Sequence, residues 1–196
     1  MGEITVQQMK DLEKSSKLPV IELMENAGKQ IFETLKGKVE GKKVLIVCYH
    51  GNNGGDGFVA AKYLSEICEV DVLFLGDETK LKKEALINYK KVLKNYNIQL
   101  FKDPNIDYND YDIIIDAMLG TGIEGLVKEP LGAVIDLVNN SKAKIVSIDV
   151  PTGINPDTGE SANKAVEPDM IIALHAVKKG LEKFRDKTVV VDIGIR

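Results

Sequence analysis

The feature that most constrains this chain is a series of short, unbroken apolar runs that alternate with helical stretches. "KKVLIVCY", "EVDVLFLG", "YDIIIDAML", "AKIVSIDV", "DMIIALHA" and "KTVVVDIG" each read as a strand. Their apolar residues are continuous rather than alternating, so both faces of each strand must be covered. "GFVAAKYLSEI", "KKEALINYKKVLKNY" and "PLGAVIDLVNNS" lie among them with helical character. Repeated strand–helix units predict an α/β fold, a mostly parallel central sheet between two layers of helices. Only "VKKGLEKFRD" separates the last two runs, so the sheet is expected to become mixed at that edge.

Two further helices are expected ahead of the first strand. The Thr5 hydroxyl can cap "VQQMKDLEKSS" by accepting from a first-turn amide. Pro19 suits the first position of "PVIELMENAGKQIFETLKG", and Gly37 suits its end. Ile21, Met24, Gly28, Ile31 and Leu35 recur every three or four residues, so one stripe of this helix is buried. No repeat, linker or low-complexity segment divides the sequence. Residues 1–196 are read as one domain, a size able to bury a sizeable core.

Composition narrows the function classes. Charged residues make up 29% and the net charge is −4, which does not suggest a nucleic-acid surface. Lys80, Lys82 and Lys83 form a small cluster, read as a solvated helix face. Cys48 and Cys68 lack metal-ligand spacing and read as buried thiols in a reducing compartment. "MGEITVQQ" has neither a basic nor an apolar leader region, and Val6 breaks the myristoylation pattern. No run approaches the ~20 apolar residues of a membrane span. A soluble cytoplasmic protein without a nucleic-acid or membrane partner is expected.

In an open α/β sheet, ligands bind beyond the carboxyl ends of the strands, where the strand order reverses. The segments that follow the strands are "HGNNGGDG", "DAMLGTGIEG", "DVPTGINPDTG" and "HAVKKGL". They bring Asn52, Asn53, Asp56, Asp116, Asp149 and Thr152 toward one crevice, with His50, His175 and Lys178 as weaker candidates. Gly51, Gly54, Gly55 and Gly57 allow positive φ and a close backbone approach to a ligand. Free amides at the following helix start favour an anion such as phosphate. Asp56 is read as the cap of that helix, a role compatible with ligand contact. Asp116 ends an apolar run, so it needs a partner or a raised pKa. It reads as a general acid or base, as a cation ligand, or as a cap of the glycine turn after it; Asp149 repeats the pattern. Two carboxylates among amides and a hydroxyl suit a simple cation better than zinc or copper. There is no GxGxxG turn, no loop lysine and no GxSxG elbow. A dehydrogenase, a P-loop NTPase and a Ser-His-Asp hydrolase are therefore disfavoured.

"GNNGGDG" at 51–57, "DAMLGTG" at 116–122 and "SIDVPTGINPDTG" at 147–159 together resemble the YjeF N-terminal domain family, the NAD(P)H-hydrate epimerases. "LMENAG" at 23–28 resembles that family's early helix, and "HAVKKGL" resembles a later turn that places Lys178 on the family lysine. The resemblance implies a Rossmann-like three-layer αβα sandwich. It implies interconversion of the R and S forms of NADHX and NADPHX, the hydrated nicotinamide cofactors. NAD(P)HX is then substrate rather than cofactor, and a potassium ion is the implied cofactor. Asn52, Asn53, Gly54, Gly55 and Asp56 are implied to touch the substrate. So are Gly120, Thr121, Gly122, Ile123, Glu124, Gly125, Leu126 and Asp149. Asn53, Asp116 and Thr152 are implied to surround the potassium ion. The family usually has serine where Thr152 stands, and often a further glycine where "CYH" stands. Asp116 is expected to carry protons, with Asp149 as the alternate. The implied partners are a separate or fused NAD(P)HX dehydratase and a second copy of the chain. The rival readings are a non-catalytic scaffold of the same fold and a transferase using the same crevice.

Overall fold

A computed structural model describes residues 3–122 and 125–196. The chain runs α1 (Val6–Ser15), α2 (Val20–Val39), β1 (Lys43–Cys48), α3 (Asn52–Leu64), β2 (Glu69–Phe74) and α4 (Lys83–Leu93). It continues through β3 (Ile98–Phe101), β4 (Ile113–Ala117), α5 (Leu131–Asn139), β5 (Lys144–Ile148), β6 (Met170–Leu174) and β7 (Thr188–Val191). The seven strands form one sheet in the order β3-β2-β1-β4-β5-β6-β7. Every pairing is parallel. The chain works outward from β1 to β3, then returns to lay β4 on the other side of β1. The crevice at that reversal lies between the carboxyl ends of β1 and β4, where Cys48 pairs with Ala117.

The layering follows from strand periodicity. Successive side chains point to opposite faces of a strand. Val44, Ile46 and Cys48 of β1 therefore join the core beneath α2, α3 and α4. Leu45 and Val47 join the core beneath α5. The result is the expected three-layer αβα sandwich. Each fully buried aliphatic side chain contributes roughly 1.5–3 kcal/mol of transfer free energy. A ring cluster of Phe58, Phe74 and Tyr89, with centroids 4.9–5.6 Å apart, fills the space between α3, β2 and α4.

Several expectations are corrected. The sheet is not mixed at its β7 edge, because a 3-10 segment over Lys179–Lys187 carries the chain back to a parallel start. The short strand β3 has no counterpart among the expected runs; its four residues are too few for a periodicity signal. Gly37 does not end α2 but lies inside it, and Pro19 is its cap rather than its first residue. The expected Thr5 cap does form, as a reciprocal capping box with Gln8.

The largest correction concerns α3. This helix starts at Asn52, with Gly51 as its cap. "NNGGDG" is thus its first two turns, and Asp56 lies inside the helix rather than capping it. None of Gly51, Gly54, Gly55 and Gly57 has positive φ. Three of them are needed for close packing against the protein itself. A Cβ on Gly54 would sit 1.9 Å from the Tyr49 carbonyl oxygen, and one on Gly55 2.5 Å from Met24. A Cβ on Gly57 would sit 2.7 Å from that of Ala117 and 2.8 Å from the Cys48 sulfur. The glycines let α3 press directly onto β1 and β4.

Candidate active site

The cleft at the strand reversal has a volume of about 510 Å³. Its apolar wall comes from Met9 of α1, from Val20, Leu23, Met24 and Ala27 of α2, and from Leu174 and Ile193. Its polar wall comes from residues 49–53 and Asp56, from the 118–122 loop, and from Asp149. Lys10, Glu13 and Lys82 complete the rim. Lys82 is the residue just before α4 and faces the cleft, so the lysine cluster is not a plain solvated helix face. The N-terminus of α3 opens here, and its first amides have no partner within the helix, a suitable setting for an anion.

Asp116, the penultimate residue of β4, is fully buried and does not line the cleft. Strand alternation turns it toward the α5 side, onto the face of its register partner Ser147. Its carboxylate accepts four hydrogen bonds. These come from the Ser147 hydroxyl at 2.9 Å, the Met118 amide at 3.2 Å, the Thr152 amide at 2.9 Å and the Thr152 hydroxyl at 2.6 Å. Burial holds its pKa above the ordinary carboxyl value, and the bonds from Thr152, Ser147 and Met118 work against that rise. The Leu119 amide donates to Thr152 Oγ1 at 2.9 Å, which ties the 118–122 loop to the same network.

Asn53 projects from the first turn of α3 into the cleft, beside Gly120. It is 7% exposed, and neither its amide nitrogen nor its carbonyl oxygen finds a partner among the described residues. A buried, unpaired amide is costly, and native proteins rarely leave one. Asn53 abuts Gly120, and the adjoining Leu119 is hydrogen-bonded to Thr152, so the Asn53 oxygen lies against the loop that carries the Leu119 carbonyl and is tied to Thr152 Oγ1 and the Asp116 carboxylate, all hard oxygens. Such a set fits a weakly charged cation. Among the described residues no group of three or more His, Cys, Asp or Glu side chains could hold a metal ion.

Asp149 is held differently. It follows β5 in the left-handed region, with φ 64°. The Val150 amide bonds back to the Ile148 carbonyl at 2.8 Å, closing a three-residue turn around it. His175 repeats this after β6, with φ 68° and an Ala176-to-Leu174 bond of 2.9 Å. Non-glycine residues in this region cost about 1–3 kcal/mol each, so the surroundings must enforce the shape. Lys178 does so. Fully buried, its ammonium donates to Asp149 Oδ1, to the Leu174 carbonyl at 3.0 Å and to the Ala176 carbonyl at 3.2 Å. The Leu174 amide also donates to Asp149 Oδ1 at 3.2 Å. Oδ2 has no partner among the described residues, so Asp149 presents one free carboxylate oxygen to the cleft.

Asp56 also faces the cleft, from the second turn of α3. Burial, then the charges of Asp149 and Glu13, hold its carboxyl well above the ordinary value; Lys178 opposes them. Glu13 is raised in the same way, by desolvation first and Asp149 second, although its side chain reaches solvent at the rim. His50 stacks on Tyr49 with ring centroids 3.9 Å apart. Burial and then Lys80 hold its pKa below the usual value. His175 does not line the cleft. Gly120, Thr121 and Gly122 do line it, whereas Gly125 and the well-exposed Leu126 do not. Ile123 and Glu124 lie outside the described residues. Glu13, Lys10 and Lys82 were not expected at the site. Their helical and capping positions carry no chemistry signal until the tertiary fold gathers them.

Fold and cleft define the class: a parallel α/β sandwich with a carboxyl-rich ligand cleft where the strand order reverses. The family model described as YjeF-related protein N-terminus matches residues 20–180, and the chain belongs to that family. An NAD(P)H-hydrate epimerase of Nitrosopumilus maritimus is 37% identical to it, covering 95% of this chain and 91% of that protein. One from Cenarchaeum symbiosum is 35% identical with the same coverages. A bifunctional NAD(P)H-hydrate repair enzyme of Methanothermobacter thermautotrophicus is 37% identical over 91% of this chain. The chain spans only 36–39% of the length of three such bifunctional relatives. In three dimensions it is similar to yeast ynu0, with a TM-score of 0.83 and 22% identity over 98% of this chain and 88% of that one. That likeness supports the fold.

Proposed function

We propose that the protein is an NAD(P)H-hydrate epimerase that interconverts the R and S forms of NADHX and NADPHX. The observation that carries the reading is Asp149, one oxygen clamped by Lys178 and the Leu174 amide and the other free in the cleft. The hydrated ring carbon bears a hydroxyl beside the ring nitrogen. Epimerisation proceeds by loss and return of water or by ring opening, and both need a proton moved at oxygen. Asp149 Oδ2 is the group assigned to that transfer. Lys178 fixes the carboxylate's orientation. The free amides of α3 receive the phosphates, and the apolar wall from α1 and α2 packs against the nicotinamide ring.

Asn53, Asp116, Thr152 and the Leu119 carbonyl would hold a potassium ion, which supplies fixed positive charge beside the phosphate-binding loops. This assigns Asp116 to the ion rather than to proton transfer, in keeping with its four hydrogen bonds and its absence from the cleft wall. The proposal takes residues 1–196 as one domain, active in the cytoplasm as a homodimer, with a dehydratase, separate or fused, as its partner in repair. Among the described residues no helix is long and apolar enough to cross a membrane.

The test follows a mixture of NADHX epimers after one form is depleted, and measures return to equilibrium by chromatography. Wild-type protein should accelerate it far above the spontaneous rate. Asp149→Asn should lose about 10²-fold or more of that rate. A wild-type rate equal to the spontaneous one would remove the epimerase reading.

A further inference from the structure

Asp56 is a buried acid on the cleft, implied by the family resemblance to touch the substrate but with no chemical step assigned to it. It is 8% exposed, lines the cleft, and accepts no hydrogen bond from any described residue. Gly54 and Gly57 on either side press α3 onto Tyr49, Cys48 and Ala117, which fixes the backbone that carries it. A carboxyl kept at such a place without a partner has been left for a ligand. Asp149, on the same cleft, is its opposite in environment: one oxygen is bound in an ion pair and an amide bond.

We propose that Asp56 is a second catalytic carboxyl, the proton donor that works with Asp149 as acceptor across the hydrated nicotinamide ring. The proposal rests on the epimerase reading. Burial, then the charges of Asp149 and Glu13, raise the pKa of Asp56 and so favour its acid form, while Asp149 is paired with the Lys178 ammonium. An unpartnered carboxyl in the buried wall suits the donor role, and a carboxylate held by an ammonium with one oxygen free suits the acceptor role.

In the forward step Asp56 gives its proton to the hydroxyl oxygen. The C–O bond breaks, its electron pair leaves with the departing water, and the ring nitrogen lone pair forms a C=N bond. A second water then adds to the other face of the same carbon. Its lone pair forms the new C–O bond, the C=N π pair returns to nitrogen, and Asp149 takes the released proton. One water leaves, one enters, the carbon is inverted, and one proton has moved from Asp56 to Asp149; proton exchange with bulk water then returns both carboxyls to their starting states for the next turnover. The reverse epimerisation runs the same steps backwards, so the second carboxyl allows catalysis in both directions.

The experiment measures NADHX epimerisation by wild type, Asp56→Asn and Asp56→Ala. Neither substitution removes a hydrogen bond made within the described protein, so both should fold. For Asp56→Asn, kcat should fall by about 10²–10⁴-fold while KM changes by less than roughly threefold. Added formate should restore part of the Asp56→Ala activity, more so as the pH is lowered and formic acid accumulates. Should the Asn variant not fold, the formate response of the Ala variant decides. A raised KM with kcat intact, or no formate response, would overturn the role of Asp56 while leaving the epimerase reading in place. An inactive wild type would instead remove that underlying reading.

Discussion

Asp56 and Asp116 are both buried carboxyls, and the fold meets their cost in different ways. Asp116 accepts four hydrogen bonds that offset its desolvation. Asp56 accepts none from the described residues, and its folded pKa is raised well above the ordinary value of 3.8. The folded protein therefore binds this proton more tightly than the unfolded chain does. Stability is unaffected below the unfolded value, where both states are protonated. It falls as the pH climbs from there toward the folded value, and the whole cost is present above it. Glu13 on α1, Asp149 and Lys178 at the β5 and β6 ends, and Cys48 on β1 are the ionisable groups that face Asp56. Asp56→Asn removes the titration. The variant should melt above wild type at neutral pH, with a difference that shrinks as the pH falls toward about 4. Thermal unfolding from pH 4 to 8 measures it. A pH-independent difference would mean that Asp56 carries no raised pKa. A difference that shrinks toward low pH would show a site residue kept at the expense of stability, as functional carboxyls often are.

At the scale of elements, α3 is where sequence and structure part most. Two asparagines and four glycines read as a turn, because glycine disfavours a helix by roughly 1 kcal/mol relative to alanine. Tertiary packing overrides that preference. Residues 52–57 form helix, and Gly54 and Gly57 among them lack the Cβ that would hold α3 away from Tyr49, Cys48 and Ala117. The strand runs were legible because continuous apolar runs need no partner to be recognised. The crevice was legible from the polar segments at the strand ends, but which strands flank the reversal was not, because strand order leaves no mark on a run's own residues. Lys178 entered only weakly from the residues alone, since a lysine between turns gives no sign of burial. The parallel β7 edge was hidden because a nine-residue 3-10 segment looks too short for a crossover. The packing account separates two kinds of glycine. Gly57→Ala would force a Cβ to within 2.8 Å of two strand residues and should cost about 1–3 kcal/mol. Gly37→Ala in α2 meets nothing within 4 Å and should gain roughly 0.5–1 kcal/mol. Urea unfolding of the two variants checks the contrast. A destabilised Gly37→Ala alongside a neutral Gly57→Ala would contradict it.

For the whole molecule, the question is how far the cleft depends on a helix that the sheet does not need. Helix α1 buries one residue, Met9, and contributes no strand. It lies ahead of residues 20–180, the span matched by the family model. Yet the segment before it bonds to the backbone on either side of Lys178. The Ile4 amide donates to the Val177 carbonyl at 2.9 Å, and the Lys179 amide donates to the Ile4 carbonyl at 3.1 Å. The Val6 amide reaches Asp157 Oδ1 at 2.8 Å, and Glu3 pairs with Arg185. These bonds set the backbone from which Lys178 reaches Asp149, while α1 itself brings Met9, Lys10 and Glu13 to the cleft. Stability and activity should therefore separate when this part is removed. A variant lacking residues 1–17 should keep the seven-strand sheet, since α2, α3, α4 and α5 still cover both faces. Its circular dichroism should stay native-like and its unfolding cooperative. Its kcat/KM for NADHX should fall on the order of 10²-fold, the usual cost of a displaced catalytic group. Adding Lys178→Met to the truncated protein should then lose less activity than the same substitution in the full chain, because both changes act through the position of Asp149. Equal losses in the two backgrounds would separate the N-terminal segment from the lysine. Full activity of the truncated protein would make α1 a bystander to the cleft.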